Sequence, residues 1–255
     1  MRKILLGAAI GAACISSAQA ASFLNGGFET GDLNSWGQAS GSWYGSPVLP
    51  LDPSNYTTGP GVNTVVGPGP DARTDNNLNT VRYGNFSARV NDSVQNYEVS
   101  VLRQTVANYD GTSINFSWAA VLEESHDATD SSHFALKVTD QTTSNVLYSS
   151  SYSSATTDTL FTRSTSGWYY TAWQDVSLTV AQGHTYLLEL LASDCPYGGH
   201  AGYVYLDGFG TVAGGGGDNG AGGDPGQGAV PVPGSLALLA LGALGLGTVR
   251  RTRRA

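Results

Sequence analysis

The chain has 255 residues, 34 of them glycine, and 20 acidic against 12 basic side chains leave it at −8. All the carboxylates fall between Glu29 and Asp224, with only six basic residues among them (Arg73, Arg82, Arg89, Arg103, Lys137 and Arg163), so this central part stands at −14 with its histidines neutral. An acidic, lysine-poor surface excludes nucleic acid and anionic lipid as partners and suits divalent cations or neutral glycans.

The first 20 residues have the three parts of a secretory signal peptide. These are the basic pair Arg2-Lys3, the apolar run Ile4–Ile15 and the small-x-small triplet Ala18-Gln19-Ala20, with a mature start at Ala21. Cys14 leaves with that segment, so Cys195 has no intrachain disulfide partner and is expected to be a buried small hydrophobe. Residues 21–212 read as one domain, long enough for a sizeable core.

Within that domain, residues 38–85 are dense in Gly, Pro and Asn and read as long loops with two strands. After that the period is two. Val99 and Val101 alternate with their neighbours, and Ile114, Phe116, Trp118, Ala120 and Leu122 share one face of a long strand. Phe134-x-Leu136-x-Val138, Val176-x-Leu178-x-Val180, Tyr186-x-Leu188-x-Leu190 and the run Tyr203–Asp207 repeat the pattern. No helical stripe interrupts them, so the fold class is all-β, an antiparallel β-sandwich of jelly-roll type.

Two groups of candidate functional residues stand out within this domain. Trp43, Tyr44, Trp168 and Tyr170 lie in loop-like or edge stretches, where a flat ring can cover the apolar face of a sugar. Tyr197 lies in another such stretch, whereas Trp36, Trp118 and Trp173 sit in core-like patterns. The segment Glu123–His133 gathers four carboxylates with His126 and His133. It reads either as a solvated acidic loop or as a metal site in which His126 meets Asp194 and His200 at one end of the sandwich. Nucleophile elbow, zinc-protease and phosphate-loop motifs are absent from the sequence, which argues against an enzyme.

Residues 213–229 are a Gly-rich linker that cannot bury apolar area. In the last segment, 230–255, Pro231, Pro233 and Gly234 precede an apolar helix over 235–249 and a basic end over 250–254 that begins Arg250-Arg251. Fifteen helical residues reach about 22 Å, a marginal span of the roughly 30 Å hydrocarbon core.

The run Val230-Pro-Val-Pro-Gly-Ser-Leu-Ala-Leu-Leu with its arginine cluster resembles a PEP-CTERM sorting signal, although Val232 stands where that family usually has Glu. The resemblance implies processing by an exosortase-type enzyme after transient insertion into the inner membrane. The opening Asn25-Gly-Gly-Phe-Glu-Thr-Gly-Asp-Leu-Asn-Ser-Trp36 and the run Asp194–Asp207 resemble domains of the galactose-binding-like superfamily, which includes carbohydrate-binding modules. That resemblance implies a structural Ca2+ held by Glu29 and Asp207; without it, the two are carboxylates capping turns.

Together these readings predict an exported, non-catalytic component of the cell envelope, outer surface or biofilm matrix that binds extracellular polysaccharide or surface partners. A purely structural or adhesive role and a polysaccharide hydrolase are the alternatives.

Overall fold

The computed structural model describes residues 22–45, 51–157 and 159–210. The segments expected to be a signal peptide, a linker and a sorting tail, including Pro231, Pro233, Gly234, Arg250 and Arg251, lie outside the described residues. No helix among the described residues is long and apolar enough to cross a membrane.

Among the described residues twelve strands run in chain order: β1 (Gly37–Ser42), β2 (Thr64–Val66), β3 (Ser87–Val90), β4 (Glu98–Val106), β5 (Ser113–Glu123), β6 (His133–Asp140), β7 (Asn145–Ser153), β8 (Phe161–Arg163), β9 (Trp168–Thr171), β10 (Gln174–Thr179), β11 (Tyr186–Ser193) and β12 (Gly202–Asp207). They form two antiparallel sheets. One has the order β1-β4-β11-β6-β7, the other β2-β3-β12-β5-β9-β8, with β10 also paired to β5. The chain is therefore an all-β antiparallel sandwich, and each period-two run falls on a strand.

The alternation explains why the sheets stack. Leu102 of β4, Leu136 and Val138 of β6, and Leu188 and Leu190 of β11 face Ile114, Phe116, Trp118, Ala120 and Leu122 of β5 and Val204 and Leu206 of β12. All are buried, and this inter-sheet layer is the main core. The opening motif belongs to it as well. Phe28 stacks on Trp36 with ring centroids 5.2 Å apart, and Trp36 meets Phe209 at 6.0 Å. Gly26 is required by close approach, because a Cβ there would lie 1.7 Å from the Phe209 carbonyl oxygen.

The outer faces are covered too. Over the second sheet, Leu78 packs with Trp168, Tyr170, Tyr203 and Tyr205. Asp71 pins this cover by accepting from the hydroxyls of Tyr203 at 2.7 Å and Tyr205 at 2.8 Å. Burial, and then the Asp71 carboxylate, push both phenols well above their ordinary range. Over the first sheet, Trp43, Leu51 and Tyr56 pack on Val99, Val101 and Leu191. The stretch 38–85 thus supplies β1, β2 and two short 3₁₀ turns, Pro53–Asn55 and Ala72–Thr74. Among its described residues, Trp43, Leu51 and Tyr56 act as a lid on the first sheet and Leu78 on the second.

Next to that first lid runs a row of charges. Register places Glu189 of β11 between Arg103 of β4 and Lys137 of β6. Glu189 is buried and faces both cations at 3.6 Å. Arg103 also donates to the carbonyls of Pro53 and Tyr56, and Lys137 pairs with Asp52 at 3.3 Å, so the row ties down the lid.

Candidate functional site

One end of the sandwich brings together the loop after β1, the segment before β4 and the loop between β11 and β12. Gly45 N donates to the Pro196 carbonyl at 2.9 Å, and Trp43 N donates to the Tyr97 carbonyl at 3.4 Å. Beneath them Trp43 is buried, with its Nε1 on the Asp194 carbonyl at 2.9 Å and its ring edge-on to His133 at 5.5 Å. On this base Tyr44 is 69% exposed and Tyr197 55% exposed. Tyr44 stands edge-on to the half-buried Tyr97 at 4.7 Å. A Cβ at Gly198 would meet the Tyr97 ring at 2.8 Å, so the turn carrying Tyr197 lies directly on Tyr97. The result is a group of tyrosines whose backbones are fixed by the sheet while two rings face solvent.

This geometry revises the proposed stacking residues. Tyr44 is exposed, but Trp43, Trp168 and Tyr170 are buried and have no face free for a sugar. Trp168 lies under the second-sheet lid, with the Arg73 guanidinium 5.0 Å from its ring centroid, and Tyr170 shares that layer. The lids were not visible in the sequence because a Gly/Pro-rich stretch reads as exposed loop. Tyr97 gave no sequence signal beyond standing just before β4.

Asp194 anchors the same end from inside. Fully buried, it accepts from Asn91 Nδ2 at 3.0 Å and Glu98 N at 3.2 Å. Burial pushes its carboxyl up to about 7, against the pull of those hydrogen bonds. Its partners differ from the expected ones: His126 and His200 meet Asp130 instead. His126 Nδ1 lies 2.7 Å from Asp130 Oδ2, and His200 Nδ1 lies 3.2 Å from Asp130 Oδ1. Asp130 was legible only as one acid in a run of four, although its place four residues after His126 is the spacing that matters.

Glu29 and Asp207 both hold the segment 82–86. Asp207 is fully buried and accepts from Arg82 N at 2.9 Å and Tyr83 N at 2.8 Å through Oδ2, and from Gly208 N at 2.7 Å through Oδ1. Glu29 accepts from Asn85 N at 2.9 Å and Phe86 N at 3.1 Å through Oε1, and from Asn85 Nδ2 at 3.1 Å through Oε2. Desolvation chiefly, with a smaller contribution from the Glu29 charge, pushes Asp207 up to about 7. The donor set is all oxygen, and each carboxylate, with about four lone-pair positions, has one left after three donors. A Ca2+ ion takes six to eight oxygens, so backbone carbonyls or water would have to supply the rest of its shell here.

No protein-family profile and no curated protein sequence matches the chain. Solved structures do align with it. TmCBM61, solved in complex with β-1,4-galactotriose, is 16% identical with a TM-score of 0.40 over 74% of this chain and 95% of its own. A carbohydrate-binding module described as specific for non-crystalline cellulose, CBM28, is 12% identical with a TM-score of 0.36 over 74% and 92%. The K2 cleaved adhesin domain of Lys-gingipain is 13% identical with a TM-score of 0.28 over 68% and 96%. Likeness this loose says nothing about what the chain binds, and the sandwich rests on its own strand ladders.

Proposed function

We propose that the protein is an exported, non-catalytic component of the cell envelope or surrounding matrix that binds polysaccharide through Tyr44, Tyr97 and Tyr197. The observation that carries this reading is the exposure of Tyr44 and Tyr197 on a rigid base. Two exposed rings held close to one another on one end of the sandwich offer flat apolar faces, and the C–H face of a pyranose can cover such a face. Because backbone hydrogen bonds fix the segments that carry these rings, only side-chain freedom is lost on binding. The acidic, lysine-poor composition favours neutral glycans over anionic ones.

The signal-peptide pattern supports export. The tail pattern supports an exosortase-type enzyme as a transient partner at the inner membrane, with release to the outer surface or matrix. Ca2+ would be held by Glu29 and Asp207, where it would relieve the repulsion between the two carboxylates and fix the 82–86 segment. Affinity electrophoresis of the full chain in gels containing single polysaccharides tests the reading. Retardation by at least one polysaccharide, without release of reducing ends, is the expected result. Release of reducing ends would replace binding by hydrolysis.

A further inference from the structure

Two loops meet beside the tyrosine end, 124–132 and 194–201. Three potential ligands from them converge: the nitrogens of His126 and His200 and a carboxylate oxygen of Asp130 all lie within 4.8 Å of one another. Asp130 bridges the pair, with one oxygen toward each Nδ1, at 2.7 Å and 3.2 Å. The imidazole rings are 5.1 Å apart and inclined at 73°, so they approach the carboxylate from different directions rather than stacking.

The positions are set by backbone structure. Asp130 N donates to the Asp127 carbonyl at 3.2 Å, while Asp127 Oδ1 accepts from Thr129 N at 2.7 Å, which closes the turn between His126 and Asp130. On the other loop, the His200 carbonyl accepts from Cys195 N at 2.8 Å, and Ala201 N donates to Glu123 Oε2 at 2.9 Å. The Cys195 thiol is buried and accepts from Gly199 N at 3.1 Å, which ties the second loop together. Asp130 and His200 side chains are only 17% and 12% exposed, whereas His126 is 81% exposed. The site is therefore walled on the protein side and open toward solvent.

We propose that His126, Asp130 and His200 form a binding site for a divalent transition metal of the zinc class, with the fourth position open to water. Two imidazoles and one carboxylate are a donor set that zinc accepts, and three protein ligands with one free position is a common zinc arrangement. Tetrahedral bonds near 2.0–2.2 Å put ligand atoms roughly 3.4 Å apart, so the observed spacing needs only small side-chain rotations. The ion would clip together two loops that no strand pairing joins at this point.

The test is calorimetric titration of Zn2+ into the metal-free, tag-free full chain, in parallel with Co2+ absorption spectroscopy. One equivalent binding at micromolar or tighter affinity is expected, with the visible Co2+ bands of a tetrahedral site. His126→Ala, which changes an exposed side chain and leaves folding intact, should weaken binding at least tenfold, and His200→Ala should abolish it. His184→Asn is the control: His184 makes a similar pair with Asp140 at 2.8 Å but has no second imidazole, so zinc binding should be unchanged. Absence of saturable Zn2+ binding, or equal affinity in His126→Ala, would overturn the proposal. Either result is independent of polysaccharide retention and leaves the glycan reading where it stands.

Discussion

Glu29 and Asp207 lie near opposite ends of the domain sequence yet take hold of the same short segment, Glu29 through Asn85 and Phe86 and Asp207 through Arg82 and Tyr83. Between them sits Gly84 at φ +66°, where a Cβ would lie 2.4 Å from Glu29 Oε1. Gly84→Ala therefore combines backbone strain with a clash and should cost about 1–3 kcal/mol in urea unfolding. Gly67→Ala, where a Cβ meets nothing within 4 Å, should cost much less. Equal midpoints for the two variants would contradict the account of this segment.

Calcium adds a second reading at the same place. If Glu29 and Asp207 hold it, millimolar CaCl2 should raise the melting temperature of the wild type by several degrees and EDTA should reverse the gain. In Glu29→Gln the calcium effect should shrink. A wild-type melt that is identical in CaCl2 and EDTA removes calcium from the account and leaves the carboxylates as loop anchors.

Glu189 makes a different claim, about burial. It is 3% exposed between Arg103 and Lys137, so Arg103→Met strips one of its two cations and also two ties to the lid. Breaking a buried pair from one side costs about 3–5 kcal/mol. The double variant Arg103→Met/Glu189→Leu should recover part of that loss, since no uncompensated carboxylate remains. Additive losses in chemical denaturation would show that the row is not coupled.

Asp194 gives the stability a pH signature. Its carboxyl is near 3.8 unfolded and about 7 folded, so between those values the native state holds a proton that the unfolded state has released. Stability contributed by this group is thus highest at low pH and falls as pH rises from about 4 to 7, by roughly 4 kcal/mol across the window. Buried His133, lowered from 6.5 to about 4 by desolvation, has the opposite sign, since it must stay neutral while the unfolded chain takes up a proton. Comparing wild type with Asp194→Asn isolates the aspartate: the stability difference, wild type minus variant, should fall from about pH 4 to about pH 7 and level off above it. A difference independent of pH would show that burial does not perturb Asp194.

The sandwich was legible because half-buried strands write a period of two into the chain, and β4, β5, β6, β10, β11 and β12 all carry it. β7 was harder to read: its sequence Asn-Val-Leu-Tyr-Ser-Ser-Ser-Tyr-Ser mixes serines with its inward tyrosines at a sheet edge. β8 and β9 are too short to establish a period. Burial of Cys195 was legible from residue type alone. The burial of Trp43, Trp168 and Tyr170 was not, since it depends on lids supplied by residues far away in sequence. The same holds for the pairing of Asp130 with His200, which only the folded loops create.

The most direct test of the central claim is affinity electrophoresis of the full chain and its Tyr44→Ala and Tyr197→Ala variants. The panel is β-1,4-galactan, mixed-linkage β-glucan, amorphous cellulose and alginate. Both side chains are exposed, so the variants should fold as the wild type does, which a melting curve verifies. The account predicts that at least one neutral polysaccharide retards the wild type and that each substitution weakens the interaction at least tenfold. Retardation that persists unchanged in both variants, or none with any polysaccharide, would contradict it.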